Sequence, residues 1–362
     1  MSLKECFTRT LIIASLMTAG VWYAKTGTMQ RWAGSTFEAD EIPVAALPTV
    51  TVNSVGWSAD GKTLMSLSRG EPSFQAYIAL HDVAQPTGRM PIDVMGESIN
   101  SAALAPDGRH MLTSNFKGEL WWINLDSLDS TRLVKLPNRQ VVSATAIAAD
   151  SRWVAAATDS SAICVCDTAN MKLTTLHSER HSRISDLRFS NDGKQLVDCH
   201  NDGTISLFDV ATQKLLQEFI GHEPVVSGAD FLADGERIIS AGTDDSVRIW
   251  DISSGREVWR GEFGLFGIKS LAVSADGAIA AWGGFNRKII VWDLLRGKKR
   301  FEISTAASII YSLKFSTDGQ LLAAAGTEET IRLYNTQTGI EEKRIDVSLP
   351  HGIQRDSSPI LE

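Results

Sequence analysis

The chain has 362 residues, of which 43% are hydrophobic and 22% are charged, so it can bury a sizeable core and is not a disordered polypeptide. Its formal net charge of −8 argues against a nucleic-acid-binding protein, because such proteins usually carry a basic excess. Four cysteines in this length exclude a scaffold that depends on disulfide bonds.

The first 35 residues differ in composition from the rest of the chain. They contain an uncharged run, Thr10–Ala24, with basic residues on either side. As a helix, these 15 residues would extend about 22 Å, which is short of a bilayer core of about 30 Å. Counting on to Gln30 gives 21 residues with one charge, which is long enough to cross. We therefore predict a hydrophobic helix in residues 1–35, a signal anchor that enters a membrane through residues 10–30.

Two other interpretations of this segment stay open. A basic start and a short apolar centre are also typical of a cleaved signal peptide, although Thr18-Ala19-Gly20 matches a cleavage site only weakly. The segment could instead be a helix packed on the folded domain. A retained anchor with its basic start inside places the body of the protein outside the cytoplasm, as a single-pass membrane protein. Cleavage would make it secreted or periplasmic.

The segments that flank the body of the chain show no periodicity. Residues 36–50 carry Pro43, Pro48 and an acidic cluster, which is typical of a linker. Residues 349–362 are predicted to form a flexible tail.

Between these segments, in residues 51–348, a turn motif that ends in Asp-Gly recurs. Its aspartates are Asp60, Asp107, Asp192, Asp234, Asp276 and Asp318, and Asp150-Ser151 fills the remaining place. A second mark, a large or apolar residue followed by Asp or Asn, recurs at 81–82, 123–124, 166–167, 208–209, 250–251, 292–293 and 334–335. Successive copies of this second mark are 42 or 43 residues apart. Two marks that keep one period predict seven repeated units.

Each unit contains short β-rich runs separated by turn residues. In the fifth unit these runs are VVSGADF, ERIISAG, SVRIWD and REVWRGEF, and Asp-Gly between the first two supplies the positive φ angles of a tight hairpin. Every unit has its own fourth run, and in the seventh this is Glu341–Val347. An all-β fold follows, in which the last unit needs no strand from the N-terminal segment.

The period of about 42 residues, with Trp-Asp at the end of the third run, resembles the WD40-repeat β-propeller family. The best matching stretches are residues 219–251 and 288–293, and the resemblance covers about 50–348. It implies a seven-bladed propeller.

The resemblance also implies a buried hydrogen-bonded tetrad with a structural role. By position its members are His222, Ser240, Asp244 and Trp250. Other units depart from the pattern: Phe208 replaces the tryptophan in the fourth, and Trp282 stands at the serine place in the sixth. The full network is therefore expected once, and the other units must depend on apolar packing.

Family resemblance favours a non-catalytic scaffold for other proteins, whose identity the sequence leaves unknown, built as a monomeric propeller. In similar proteins, partners dock on the face whose loops lead into the inner strands. The residues predicted for this rim are Phe74, Phe116, Arg139, Arg183, Asn201, Thr243, Lys269 and Phe285. Exposed aromatic residues beside arginine are typical binding anchors. The alternative is that Phe116 and Phe285 merely fill the rim.

The other function considered is an enzyme or small-ligand binder that uses the central channel. No catalytic motif supports it, and no cofactor, metal or catalytic residue is predicted. His181 and His200 could approach each other in the fourth unit, but a packing histidine and an exposed one is the simpler interpretation. Residues 251–259 have a faint similarity to the tryptophan-docking motif of quinone-dependent propellers, and the motif occurs once.

Overall fold

The computed structural model describes residues 28–30, 36–38, 50–70, 76–84, 89–92, 99–127, 129–136, 141–159, 161–177 and 182–347. The chain divides into two units, Met1–Pro48 and Thr49–Glu362. In the first unit, strand β1 (Thr28–Gln30) pairs antiparallel with β2 (Thr36–Glu38). All other described strands belong to the second unit.

The predicted N-terminal helix falls on residues 1–35, most of which lie outside the described residues. The three described ones, Thr28–Gln30, form a strand, so the extension of the helical prediction to Gln30 is wrong. In the part of the chain that the structure describes, no helix is long and apolar enough to span a membrane.

The second unit consists of seven antiparallel four-stranded sheets, or blades, and confirms the predicted all-β, seven-bladed propeller. Each blade takes its four strands consecutively from the sequence. Blade 1 contains β3 (Val50–Trp57), β4 (Thr63–Gly70), β5 (Ala76–Asp82) and β6 (Arg89–Ile92). Blade 2 contains β7 (Ile99–Leu104), β8 (His110–Asn115), β9 (Glu119–Asn124) and β10 (Ser130–Lys135). Blade 3 contains β11 (Val142–Ile147), β12 (Trp153–Thr158), β13 (Ala162–Asp167) and β14 (Lys172–His177).

Blades 4 to 7 repeat the same order of strands. Blade 4 contains β15 (Ile184–Phe189), β16 (Gln195–His200), β17 (Thr204–Asp209) and β18 (Leu215–Ile220), and blade 5 contains β19 (Val226–Phe231), β20 (Arg237–Gly242), β21 (Ser246–Asp251) and β22 (Glu257–Glu262). Blade 6 contains β23 (Ile268–Val273), β24 (Ile279–Gly284), β25 (Lys288–Asp293) and β26 (Lys298–Ser304). Blade 7 contains β27 (Ile310–Phe315), β28 (Leu321–Gly326), β29 (Thr330–Asn335) and β30 (Glu341–Asp346). The seventh blade therefore completes itself with β30.

The Asp-Gly motif forms the turn between the first and second strands of a blade. In blade 1 the Ser58 hydroxyl donates to Asp60 Oδ1 at 2.6 Å, and the same carboxylate oxygen accepts the backbone N–H of Lys62 at 3.0 Å. Gly61 follows with φ +67°, a left-handed conformation that glycine adopts without a steric penalty. Blade 3 places Ser151 there at φ +59°, so it fills the missing place of the motif with the same turn.

Apolar packing between blades forms the core. Within the described residues there are seven clusters of buried hydrophobic side chains, and each joins two neighbouring blades. One of them closes the ring, because it combines Val52 and Leu64 of blade 1 with Leu333 and Ile345 of blade 7. A blade thus buries both of its faces only when it has a neighbour on each side.

Polar contacts reinforce the seam at which blade 7 meets blade 1. The backbone N–H of Val55 donates to Ser312 Oγ at 3.2 Å, and Trp57 Nε1 donates to the carbonyl of Lys314 at 3.2 Å. The ammonium of Lys343 donates to the carbonyl of Val83 at 2.8 Å. The first and last blades are therefore joined by polar contacts as well as by an apolar cluster.

Candidate functional site

The four residues predicted as a tetrad meet inside blade 5. His222 Nδ1 lies 3.0 Å from each carboxylate oxygen of Asp244, and His222 Nε2 lies 2.8 Å from Ser240 Oγ. Trp250 Nε1 donates to the same serine oxygen at 2.8 Å. These hydrogen bonds lead from Asp244, in the turn between β20 and β21, through His222 and Ser240 to Trp250 in the core of the blade.

Donor and acceptor requirements fix the protons in this set. The indole N–H of Trp250 can only donate, so Ser240 Oγ accepts it and gives its own proton to His222 Nε2. The proton on His222 then sits on Nδ1 and points to Asp244, which makes the imidazole neutral. Burial lowers the pKa of His222 below its ordinary value, in agreement with this assignment.

Arg248 extends the tetrad toward the outer strand. Its guanidinium donates to Asp244 Oδ2 at 3.0 Å and to Glu257 Oε2 at 2.8 Å, while its side chain is nearly buried. Burial opposes the ionisation of Asp244, but its hydrogen bonds with His222 and with the hydroxyl of Ser246, 2.9 Å away, outweigh that effect and hold the pKa of this carboxyl well below its usual range.

In other blades, different residues stand at the serine and tryptophan places of the tetrad. In blade 1, His81 stands at the tryptophan place and its Nε2 lies 2.8 Å from Ser66 Oγ. In blade 6, Trp282 takes the serine place and packs with Trp292 and Phe263, and Trp259 packs on Trp292. This aromatic cluster replaces the polar tetrad with apolar contact across blades 5 and 6.

Blade 4 has a buried pair of polar side chains in place of the tetrad. Asp198 stands at the serine place, and its Oδ1 lies 3.1 Å from His200 Nε2 with both side chains fully buried. The carboxylate raises the pKa of His200 against the opposing effect of its burial. The expected approach of His181 to His200 lies outside the described residues, because His181 does.

Two aromatic side chains of the rim lie beside cations. The guanidinium of Arg69 is 5.7 Å from the centre of the Phe116 ring, and the ammonium of Lys269 is 5.3 Å from the centre of the Phe285 ring. Phe116 is 44% exposed, which makes it available to a partner, whereas Phe285 is half-buried. The Phe285 ring packs over Gly267, where an added Cβ would lie 3.5 Å from it.

A third aromatic residue of the rim, Phe266, was missed by the sequence analysis. It is 68% exposed and has φ +55°, a left-handed conformation that is rare for an aromatic residue. The carboxylate of Asp245 accepts the backbone N–H groups of Leu265 at 2.9 Å, Phe266 at 3.1 Å and Gly267 at 2.9 Å. The loop is therefore held in a fixed conformation that directs a large apolar side chain to solvent.

The remaining predicted rim residues are distributed around the ring. Arg183 and Asn201 are exposed at blade 4. Thr243 is half-buried, and its hydroxyl accepts the backbone N–H of Val225 at 3.3 Å. Phe74 and Arg139 lie outside the described residues.

The channel at the propeller axis carries charges of both signs. Its cavity has a volume of about 400 Å³. On blade 4, Arg188 donates to Asp186 Oδ1 at 2.9 Å. Lys269 and Lys314 line the cavity from blades 6 and 7. Among the described residues, no group of three ligating side chains could hold a metal ion.

Comparison with known families agrees with this architecture. Residues 120–258 match the family model described as Vps8 beta-propeller, and residues 297–335 match WD40, described as WD domain, G-beta repeat. The chain is a seven-bladed β-propeller that is similar to these two families over the matched residues. The search of curated proteins found no match. The tetrad lies within the first matched region, and the seventh blade contains most of the second.

We predict that Ser240→Ala lowers the free energy of unfolding of the propeller by about 2–6 kcal/mol. The substitution leaves the indole N–H of Trp250 and the His222 ring without their shared partner, and each buried unsatisfied group costs about 1–3 kcal/mol. Chemical denaturation measures the change.

Ser253→Ala is the matched control, because Ser253 is exposed and donates to Asp251 at 2.8 Å on the surface of the same blade. Ser253→Ala should change the free energy of unfolding by less than about 0.5 kcal/mol. Equal effects of the two substitutions would show that the tetrad does not stabilise blade 5.

Proposed function

We propose that this propeller is a non-catalytic scaffold that binds another protein on the rim formed by the loops leading into the inner strands. WD40 propellers are typically protein-interaction scaffolds, which supports the general class of function. The specific surface is proposed from the side chains of the rim.

The conformation of Phe266 carries this proposal. Phe266 is 68% exposed and so gains little from burial, and a left-handed φ costs roughly 1–2 kcal/mol for a residue with a side chain. The three N–H groups bound by Asp245 compensate for that cost locally. A strained aromatic residue fixed in solvent by its own loop is expected at a binding surface rather than in a purely structural loop.

Neighbouring groups complete a surface of the kind that proteins recognise. Phe285 and Lys269 lie next to the Phe266 loop on blade 6, and Arg69 and Phe116 form a second aromatic and cationic pair at blades 1 and 2. Aromatic residues and arginine contribute a large share of the binding energy at protein interfaces. Phe285 supports the loop at Gly267, so its role is to position the exposed residue as well as to fill the rim.

The test compares co-purified proteins from the native cells for the wild-type chain and for three variants, Phe266→Ala, Phe116→Ala and Arg183→Ala. Partners that dock on the rim should fall by about tenfold or more for at least Phe266→Ala, since truncating a central anchor typically costs 2 kcal/mol or more. Quantitative mass spectrometry of the tagged protein provides the measurement.

Leu295→Ala is the control variant. Leu295 is 78% exposed in the turn between β25 and β26, at the opposite end of the blade from the rim. The proteins that co-purify with Leu295→Ala should be the same, and in the same amounts, as those that co-purify with the wild type. A protein set that no rim variant changes, with all variants folded by circular dichroism, would contradict a docking surface on this rim.

A membrane tether is proposed for the segment that precedes the propeller, with the propeller outside the cytoplasm. The uncharged run Thr10–Ala24 supports it, and residues 28–30 no longer contribute to it because they form a strand. The run therefore needs its flanking basic residues to reach the interface.

To test the tether, membranes are prepared from cells that express the full chain with a C-terminal tag. We expect carbonate-resistant membrane association with an intact N-terminus, and release when Ile12 and Leu16 are both replaced by lysine, because charges in the apolar core are costly. Protease digestion of sealed membranes reports which side carries the propeller. Soluble recovery of the intact chain, or an N-terminus cleaved after the apolar run, would contradict a retained anchor.

A further inference from the structure

Two loops meet on the rim of blade 6. The first leads from β22 to β23 and carries Phe266, and the second joins β24 to β25 and begins with Phe285. The backbone N–H of Phe285 donates to the carbonyl of Leu265 at 3.2 Å. Asn286 Nδ2 donates to the carbonyl of Gly264 at 2.9 Å. These hydrogen bonds hold the two loops together, so Phe266 and Phe285 lie in the same part of the rim.

Two cations lie beside Phe285. Lys269, on the innermost strand β23, lines the channel and has its ammonium 5.3 Å from the centre of the Phe285 ring. Arg287 is exposed and ends the turn that Phe285 begins. Its carbonyl accepts the backbone N–H of Thr305, which follows the outermost strand β26, at 2.8 Å. The two cations therefore come from opposite sides of Phe285, Lys269 from the channel side and Arg287 from the side of the outer strand.

Neither cation has an anionic partner within the described part of the chain. No carboxylate oxygen there lies within 4.0 Å of the Lys269 ammonium or of the Arg287 guanidinium. Neither side chain donates a hydrogen bond to the described residues. Both charges are therefore available to a bound molecule, and a carboxylate is the protein group that pairs with them most strongly.

Carboxylates that border these loops are already engaged. Asp245 accepts three backbone N–H groups of the first loop. Glu262, at the end of β22, is paired with Arg260 at 2.7 Å. Glu302, on β26, is paired with Lys288 at 2.6 Å. The two loops therefore carry a positive charge that these carboxylates do not neutralise.

Arg287 occupies a backbone position that favours glycine. Its φ is +61°, and the equivalent positions of blades 2 and 4 are Gly118 at φ +76° and Gly203 at φ +88°. Glycine adopts this left-handed conformation without a steric penalty, whereas a residue with a Cβ does not. No hydrogen bond or ion pair of the Arg287 side chain with the described residues offsets the strain. Strain that local contacts do not explain is typical of residues that serve recognition.

We propose that the blade 6 surface, formed by Phe266, Phe285, Lys269 and Arg287, binds a flexible segment of a partner protein in which Asp or Glu stands next to a large apolar residue. The apolar side chain packs on the two phenylalanine rings, and the carboxylate pairs with the cations beside them. This inference rests on the proposed docking of a protein on the rim, and it adds the chemistry of the segment that docks.

The test selects binders from a phage-displayed library of random linear peptides on the purified full chain. We expect the selected peptides to be enriched in Asp or Glu beside Leu, Ile or Phe, relative to the unselected library. The most enriched peptide is then synthesised with a fluorescent label, together with a copy in which Asn and Gln replace Asp and Glu. The copy should bind the wild-type chain about tenfold more weakly or worse by fluorescence anisotropy, because charge-assisted hydrogen bonds are lost.

Arg287→Gly separates recognition from folding. It should weaken binding of the acidic peptide by about tenfold or more, while the Tm stays the same or rises because glycine relieves the left-handed strain. Arg256→Gly is the matched control, since Arg256 is exposed in the turn between β21 and β22, at the opposite end of blade 5 from the rim. Its affinity for the peptide should equal that of the wild type. A selection repeated on Arg287→Glu should lose the enrichment in acidic residues.

Selected peptides without acidic residues, or a selection that yields no binder, would overturn the proposal. Equal affinities of the wild type and Arg287→Gly, or of the acidic peptide and its amide copy, would also overturn it. The comparison of the two peptides uses the wild-type chain, so it decides the question even if a variant fails to fold.

The same results distinguish this inference from the proposed function. If co-purified proteins depend on Phe266 but the selected peptides lack acidic residues, the rim docks proteins and only the acidic segment is wrong. If no co-purified protein depends on the rim, both proposals are wrong.

Discussion

The structure depends on the burial of both faces of every blade against a neighbour. A single four-stranded sheet of this size has two apolar faces and cannot cover either of them alone. In a row of blades the two ends would remain exposed, and the contact of Ile345 and Leu333 with Val52 and Leu64 removes those ends. Closure of the ring is therefore the condition under which all other contacts exist.

Once the ring is closed, individual blades can vary in their interior. Blade 5 has the polar tetrad around His222, blade 6 has Trp282 and Trp292 packed against aromatic rings at the edge of blade 5, and blade 1 has a shorter pair between His81 and Ser66. Each arrangement fills the same space between the second and third strands and their neighbours. Variation inside the blades thus leaves the positions of the loops and of the channel unchanged, which is why the rim can carry function.

Most of the fold could be predicted from the sequence, because residues that favour turns recur at the same places of every repeat. Asp-Gly after the first strand, replaced once by Asp150-Ser151, and a large or apolar residue with Asp or Asn at the end of the third strand recur at a nearly constant period. The N-terminal segment is different. Its apolar run predicts a helix only by composition, and Thr28–Gln30 form a strand instead.

The candidate sites were harder to predict, for two reasons. Phe266 stands out only when Asp245, about 20 residues earlier, is seen to bind three N–H groups of its loop. The lining of the channel depends on the pleat and on the bulge near the start of each inner strand, which decide the side chains that face the axis. The period itself contained a signal for the channel, since Arg188, Asp230 and Lys314 occupy equivalent positions of their repeats.

Hydrogen exchange at two matched amides tests ring closure most directly. The N–H of Val55 donates to Ser312 across the seam between blades 7 and 1, and the N–H of Leu313 donates to Ser270 across the seam between blades 6 and 7. Closure by equivalent contacts predicts that the two amides are protected to the same order of magnitude. Exchange of Val55 near the rate of an unstructured amide, with Leu313 still protected, would show that the ring is open at its first blade.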